Sequence, residues 1–175
     1  MRAAAAPLVA AIAVSLLALA ACGRAVDKVG DGVGAGPDSP AAGRAFMARN
    51  AHAPGVVTTR SGLEYRVLRS GPNGGRRPGP SDEVKINYEG KLLDGQVFDS
   101  SFDRGEPAVL TVRDVVPGFR EALELMRPGD EWLVYLPANL AYGDKGAGPI
   151  PPGAALMFRI ELIAIAPAEG SVGSG

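Results

Sequence analysis

The sequence is poor in the side chains that most enzymes use for covalent or metal chemistry. Its 175 residues include one histidine, His52, and one cysteine, Cys22. A serine nucleophile such as Ser100 or Ser101 needs a general base, normally histidine, and His52 lies in a different part of the chain. Metal sites need several His, Cys or carboxylate side chains at ligand spacing, and the sequence contains no such cluster. The sequence therefore predicts a chemistry without nucleophile, metal or cofactor.

The sequence also gives little support to glycoside hydrolysis, phosphate binding or nucleic-acid binding. Asp99 and Asp103 resemble a glycosidase pair, but neighbouring carboxylates in a strand-to-turn segment usually form turns. The glycine loop GDKGAG (143–148) is followed by PIPP, whereas a phosphate cradle needs a helix there. A net charge of −1 offers no concentrated basic surface, so no nucleic-acid partner is expected.

Aromatic residues are also scarce, and their distribution locates the core. They make up 6% of the chain, and all but one of them lie between positions 65 and 158. The 24 glycines and 15 prolines indicate many turns. One ordinary domain with an additional segment attached is expected from this length.

The first residues predict export and a lipid anchor. Arg2 precedes an uncharged apolar run (7–21) that is shorter than the about 20 residues of a membrane span. The run ends in LAAC, which resembles the lipobox of bacterial lipoproteins, so residues 1–21 are interpreted as a signal peptide and Cys22 as the lipidated N-terminus. The residue after the cysteine is Gly23. By the sorting rule of bacterial lipoproteins, the absence of aspartate at this position favours the outer membrane, facing the periplasm. The alternative is an ordinary signal peptide with a chance cysteine.

Residues 22–60 are predicted to form a flexible tether. Residues 23–45 lack apolar periodicity, and a coil from Cys22 to the domain spans roughly 35 Å. RAFMARNAH (44–52) is a candidate short helix, which Pro54 and Gly55 would end. The last residues, 168–175, are predicted to be disordered.

From residue 61 to residue 167 the pattern predicts one folded domain. Apolar residues alternate in LEYRVL (63–68), VKINY (84–88), EWLVYLP (131–137) and ALMFRIELIAI (155–165), as expected for strands. In VVPGFREALELMRPGD an apolar stripe and an early Pro117 predict a helix, whose stripe is Phe119, Ala122, Leu123 and Met126. The fold class is therefore α+β, with an antiparallel sheet of about five strands wrapped around one short helix.

Four ordered blocks carry a resemblance to a known family. INYEGKLLDGQVFDSS, VVPGFREALELMRPGD, WLVYLPANLAYG and IPPGAALMFRIELI resemble, in order and spacing, the FKBP-type peptidyl-prolyl cis/trans isomerases. The likeness covers residues 61–165, and the lead-in TTRSGLEYRVL is typical of the bacterial exported branch.

The resemblance implies a binding site for a proline ring. Its residues, carried over from the matching motifs, are Tyr88, Phe98, Asp99, Arg104, Leu110, Val115, Val116, Phe119, Tyr142, Ile150 and Phe158. Phe98, Asp99 and Tyr142 are the implied catalytic residues, with the Tyr142 hydroxyl and the Ile150 backbone N–H holding peptide carbonyls. Phe119 stands where the family usually has tryptophan, and Leu110 where phenylalanine is common.

Purely structural interpretations of the same residues stay open at this point. Asp99 also fits a structural acid paired to Arg104, and Tyr88 and Phe158 also fit ordinary core packing. For the whole protein, a low-turnover peptide-binding module or holdase is the alternative to an isomerase. The expected partners are proline-containing polypeptides and macrolide inhibitors.

The expected oligomeric state is a monomer. Related exported isomerases often carry a long helical dimerisation arm, of which this sequence keeps at most the final turns.

Overall fold

A computed structural model describes residues 36–72 and 75–166 of the chain. The interpretations of residues 1–21, of Cys22 and of residues 168–175 lie outside the described residues. Within the described ranges, no helix is long and apolar enough to cross a lipid bilayer.

An antiparallel sheet forms the body of the described chain. Its strands are β1 (Val56–Thr58), β2 (Glu64–Arg69), β3 (Glu83–Lys91), β4 (Val97–Ser100), β5 (Ala108–Thr111), β6 (Glu131–Leu136) and β7 (Leu156–Ala166). The order across the sheet is β1-β2-β6-β7-β3, and the far side of β3 pairs with β4 near one end and with β5 near the other. Seven strands within these ranges replace the about five expected, because β1, β4 and β5 are too short to show a period-two pattern.

Helix α3 (Pro117–Leu125) covers one face of the sheet, as the apolar stripe predicts. Pro117 occupies its first turn, where a missing N–H costs nothing. Phe119 and Leu123 are buried against the sheet residues that alternate inward along β7, which are Leu156, Phe158, Ile160 and Leu162. Burying one leucine side chain such as Leu123 contributes about 1.5–3 kcal/mol. Because many apolar side chains are buried in the same cluster, this face supplies most of the apolar stabilisation of the described domain.

Helix α1 (Pro40–Asn50) packs on the opposite face, which corrects the prediction of a flexible tether for residues 36–60. Ser39 caps its N-terminus by accepting a hydrogen bond from the Ala42 N–H at 3.2 Å. Met47 is buried against Tyr135 and Ala155 of the sheet's outer face. The helix therefore begins earlier and ends earlier than residues 44–52, because tertiary contacts rather than periodicity set its bounds.

Polar contacts fix both ends of α1 to the sheet. At its start, the buried Asp38 carboxylate accepts the N–H groups of Leu93 and Asp94 at 2.7 and 3.2 Å. At its end, the Asn50 side-chain amide donates to the Glu64 carboxylate at 2.7 Å. Residues 36–60 are thus an integral part of the folded unit.

The alternation predicted for β2 holds only at its beginning. Leu63 is fully buried and Tyr65 is half-buried, but Val67 is 42% exposed. Conversely, the polar Glu64 is 3% exposed, because α1 covers the outer face at this point. A period-two pattern identifies the strand, and the layers packed on it decide which positions are buried.

Candidate functional site

A cavity of about 300 Å³ opens between the sheet and the N-terminus of α3. It is lined by Tyr88, Phe98, Asp99, Leu110, Asp114, Val115, Val116, Phe119, Tyr142 and Phe158. The structure therefore brings together residues from all four sequence blocks. Most of the lining is aromatic or aliphatic, as a site for an apolar ring requires.

Edge-to-face aromatic rings form the base of the cavity. Phe119 of α3 lies 5.0 Å from Phe158 of β7 and 5.9 Å from Tyr88 of β3, measured between ring centroids. Phe98 of β4 packs against Phe158 at 5.6 Å with an interplanar angle of 86°. Such pairs are favoured by the aromatic quadrupoles and hold one another in place.

Gly90 allows two of these rings to meet above β3. A Cβ atom at this position would lie 2.6 Å from the Phe98 ring and 2.7 Å from the Phe158 ring. No side chain fits without displacing one of the two walls. The glycine of the INYEG block is therefore required by the shape of the cavity.

Asp99 is held at the edge of the cavity by two partners. Tyr88 donates its hydroxyl to one carboxylate oxygen, and Arg104 donates to the other at 2.5 Å. Arg104 also donates to the Tyr88 oxygen at 3.2 Å, which closes the group into a triangle. Both carboxylate oxygens thus have a donor, so Asp99 keeps a fixed orientation.

These contacts keep Asp99 ionised. Burial opposes the charged form, but the hydrogen bonds from Tyr88 and Arg104 together outweigh it and lower the pKa of the Asp99 carboxyl below its ordinary value. Burial and the bond to Asp99 raise the pKa of Tyr88 above its ordinary value. At neutral pH the site thus contains a carboxylate, a guanidinium and a neutral phenol.

The two serines after Asp99 are structural. Ser100 caps the short helix α2 (Ser101–Arg104) by accepting the Asp103 N–H at 3.1 Å. Ser101 is fully buried and accepts the Tyr88 N–H at 2.9 Å. Together they shape the turn that carries Arg104 back to Asp99.

Tyr142 lines the cavity from an irregular loop. It is 40% exposed and sits between two short 3-10 turns, Ala138–Leu140 and Gly143–Lys145. Within the described residues its hydroxyl has no hydrogen-bond partner, so it is available to a bound molecule.

The structure contradicts the role assigned to the Ile150 amide. Ile150 is buried beside the site without lining the cavity, and its N–H donates to the Ala147 carbonyl at 2.9 Å. A different residue, Val116, lines the cavity and precedes the first turn of α3. Its N–H has no acceptor among the described residues, as is usual at a helix N-terminus.

Among the residues that line this cavity, Asp114 is the one that the sequence did not predict. It lies in a 3-10 turn (Val112–Asp114) directly before the two valines of the site. Its carboxylate is exposed and lies 3.8 Å from the Arg113 side chain. The only sequence signal was its position next to the Val115-Val116 pair.

A larger cavity of about 480 Å³ lies elsewhere, between α1 and the loop after β6. It is lined by none of the predicted site residues, so size alone does not identify the functional site. Within residues 36–72 and 75–166, no group of three or more His, Cys, Asp or Glu side chains is arranged to hold a metal ion.

Comparisons with known proteins agree with this geometry. The family model for FKBP-type peptidyl-prolyl cis-trans isomerase matches residues 74–163, and the model for the domain amino terminal to that isomerase matches residues 35–67. The chain therefore belongs to the FKBP-type peptidyl-prolyl cis-trans isomerase family, which confirms the resemblance found in its motifs.

Individual relatives fall in the same group. The chain is 48% identical to the peptidyl-prolyl cis-trans isomerase Mip of Coxiella burnetii, over 70% of this chain and 53% of that protein. It is 45% identical to the outer membrane protein MIP of Legionella longbeachae, over 73% of this chain and 54% of that protein. The crystal structure of FkpA from Escherichia coli matches with a TM-score of 0.70 and 39% identity, over 73% of this chain and 59% of that one.

The chain spans about half the length of the curated relatives it matches. The similarity to FkpA confirms the α+β fold class with an antiparallel sheet.

Proposed function

We propose that the protein catalyses cis/trans isomerisation of X–Pro peptide bonds in exported polypeptides. The observation that carries this proposal is the cavity of about 300 Å³, with its base of edge-to-face rings and one oriented carboxylate at its edge. A proline ring fits such a cavity by size and polarity, and membership of the family supports the same activity.

Catalysis needs no covalent step. Rotation about an X–Pro bond is opposed by amide resonance, with a barrier of about 18–20 kcal/mol. When the amide is twisted the resonance is lost, and the carbonyl carries less negative charge than in the planar state. An apolar cavity therefore costs the twisted amide less desolvation than the planar one, and this difference lowers the barrier.

The polar groups at the rim hold the peptide on either side of the twisting bond. The Tyr142 hydroxyl and the Val116 N–H donate to peptide carbonyls, and Asp99 lies beside the rotating amide. Tyr88 and Arg104 orient Asp99 through the triangle of hydrogen bonds. Every factor of ten in rate needs about 1.4 kcal/mol, which such contacts supply when they strengthen in the twisted state.

The test is turnover on a short X–Pro peptide, with the rate of isomerisation followed by NMR exchange or by a coupled protease. Phe98→Ala should lower kcat/KM about tenfold or more, because it removes a wall that holds the proline ring. Val97→Ala is the matched control, since Val97 precedes Phe98 on β4 and is exposed. A folded Phe98→Ala/Asp99→Ala double variant with undiminished activity would contradict the site assignment.

The same assay separates catalysis from simple binding. A holdase would bind proline-containing loops and suppress aggregation without accelerating isomerisation. Binding without turnover in the unmutated protein would therefore replace the isomerase proposal by that alternative.

We further propose that Cys22 carries a lipid anchor that keeps the protein in the cell envelope. The LAAC motif supports this, and so does a relative of 45% identity that is named an outer membrane protein. Two or more acyl chains anchor a protein stably, whereas one holds it only marginally.

Cys22→Ala tests the anchor. The variant should appear in the soluble fraction after cell breakage, while the unmutated protein sediments with membranes and labels with radioactive fatty acid. If the variant stays with membranes after a salt wash, another element attaches the protein and the lipoprotein interpretation is wrong.

A further inference from the structure

The loop that carries Tyr142 rests on helix α1. Pro40, in the first turn of α1, packs directly on Gly153: a Cβ atom at Gly153 would lie 2.5 Å from Pro40 Cγ. The Gly153 N–H donates to the Gly143 carbonyl at 2.9 Å, and Gly143 directly follows Tyr142. One van der Waals contact and one hydrogen bond therefore connect α1 to the residue beside Tyr142.

A second contact of α1 holds the same stretch of chain. Gly43 lies one turn after Pro40, on the same face of the helix. A Cβ atom at Gly43 would lie 3.2 Å from Ala155 Cβ and 3.7 Å from the Gly153 carbonyl oxygen. The helix backbone can approach the strand this closely because residue 43 has no side chain.

Tyr142 itself has few other supports. Its side chain is 40% exposed, and its hydroxyl makes no hydrogen bond within the described part of the chain. On one side of Tyr142, the Ala141 N–H donates to the Ala138 carbonyl at 3.0 Å within a 3-10 turn; on the other side, the loop is closed by the reciprocal hydrogen bonds of Ala147 and Ile150 and by the bond from Gly153 to Gly143. The bond at Gly143 is the one that connects a neighbour of Tyr142 to the stretch of chain that contacts α1.

We propose that α1 is a positioning element for the active site, and that Pro40 and Gly43 act through Gly153 and Gly143 to place Tyr142. This inference rests on the proposed function, since it takes the Tyr142 hydroxyl as a substrate contact. It assigns a catalytic contribution to the segment that precedes the isomerase domain, beyond attachment or stability.

Displacing α1 tests the proposal. Gly43→Val forces a branched side chain against Ala155 and should lift the helix from residues 153–155. We expect kcat/KM for a short X–Pro peptide to fall about threefold to tenfold, because the helix acts on Tyr142 only through intervening contacts. Ala41→Val is the matched control, because Ala41 is exposed on the same helix.

Pro40→Ala tests the contact without adding bulk. It removes the ring atoms that touch Gly153 and keeps the helix, so a smaller loss in the same direction is expected. If Gly43→Val fails to fold, this variant keeps the proposal testable.

A double-mutant cycle with Tyr142→Phe separates positioning from general destabilisation. If α1 acts by placing the Tyr142 hydroxyl, Gly43→Val should cause little further loss once that hydroxyl is absent. An equal loss in both backgrounds overturns the proposal, and so does full activity in Gly43→Val.

Hydrogen exchange at the Gly153 amide provides a readout that does not depend on activity. Its protection should fall in Gly43→Val and Pro40→Ala but persist in Ala41→Val. If the unmutated protein proves inactive, the proposed function fails, whereas unchanged Gly153 protection in both variants overturns the positioning role.

Discussion

Phe119 is one of two residues, with Leu110, at which the site departs from the expected pattern of its family. It lies at the base of the cavity, in contact with Phe158 and Tyr88, where tryptophan is usual. The only tryptophan, Trp132, is on β6 and stacks on Tyr65 with centroids 4.3 Å apart. Trp132 does not line the site cavity, as its position on the inward face of β6 predicts.

This arrangement makes an optical prediction. The emission of Trp132 should shift strongly on unfolding and change little when a macrolide inhibitor fills the cavity. Phe119→Trp should create a binding signal, and Trp132→Phe in that background should leave it intact. A large emission change on ligand binding to the unmutated protein would contradict the assignment of Phe119 to the base.

The smaller ring should also weaken inhibitor binding. Phe for Trp loses some tens of Å² of apolar contact, worth roughly 1 kcal/mol at about 25 cal/mol per Å². Phe119→Trp should therefore tighten macrolide binding about fivefold to tenfold, measured by calorimetry. An unchanged Kd would show that the ring of residue 119 does not contact the ligand.

The ionisation states of Asp99 and Tyr88 predict that enzymatic activity does not change with pH near neutrality. Burial is outweighed by the hydrogen bonds from Tyr88 and Arg104, so its pKa is lowered, while the pKa of Tyr88 is raised. Activity should be constant between about pH 6 and 9, since neither group titrates there. The stability that Asp99 contributes is present above its unfolded pKa of about 4 and is lost as the pH falls through its lower folded pKa.

Arg104→Gln tests the electrostatic part of this account. Loss of the guanidinium should raise the pKa of Asp99, so the acid limb of the kcat/KM profile should move to higher pH. Arg60→Gln, at an exposed arginine outside the site, should leave the limb in place. A limb that does not move in Arg104→Gln would show that another group controls it.

At the scale of elements, α1 covers the outer face of the sheet and buries residues on it. It covers Glu64, a residue that is 3% exposed and whose carboxylate accepts one hydrogen bond from Asn50. Burial raises the pKa of Glu64, although the Asn50 hydrogen bond opposes the shift. A raised pKa means that the folded state favours the protonated form, so the associated stability is present at low pH and is lost as the pH rises through the folded pKa.

Glu64→Gln should therefore increase stability at pH 7 and have little effect near pH 4. The amide keeps an acceptor for Asn50 and removes the buried charge. Thermal unfolding at both pH values measures the difference, with Glu83→Gln, at an exposed glutamate, as the control. A variant that is less stable than the unmutated protein at pH 7 would show that the charge itself holds α1 in place.

At the scale of the whole molecule, the described chain is one sheet with a helix on each face. The core face, covered by α3, leads to the cavity, and the outer face carries α1. The monomeric state stays a prediction. Light scattering on the purified, unprocessed chain should give a mass near 17.9 kDa, and a mass of twice that value would contradict it.

Local patterns in the sequence were sufficient for the α3 side of the molecule. The alternation along β7 and the stripe of α3 each follow from a fixed period, 2.0 or 3.6 residues, and so predict which side chains share a face. The ordered motifs likewise identified the cavity residues, because a wall such as Phe98 or Phe158 belongs to a strand with a recognisable period.

Only the tertiary structure decided the α1 side and the amide of the site. Residues 36–60 have no period of their own, and their order comes from distant partners: Gly43 packs on Ala155, and Asp38 accepts a hydrogen bond from the Leu93 N–H. Similarly, the choice between the Ile150 and Val116 amides depends on which N–H has already found an acceptor across a loop. Such pairings depend on how the chain returns on itself, which no local window of sequence contains.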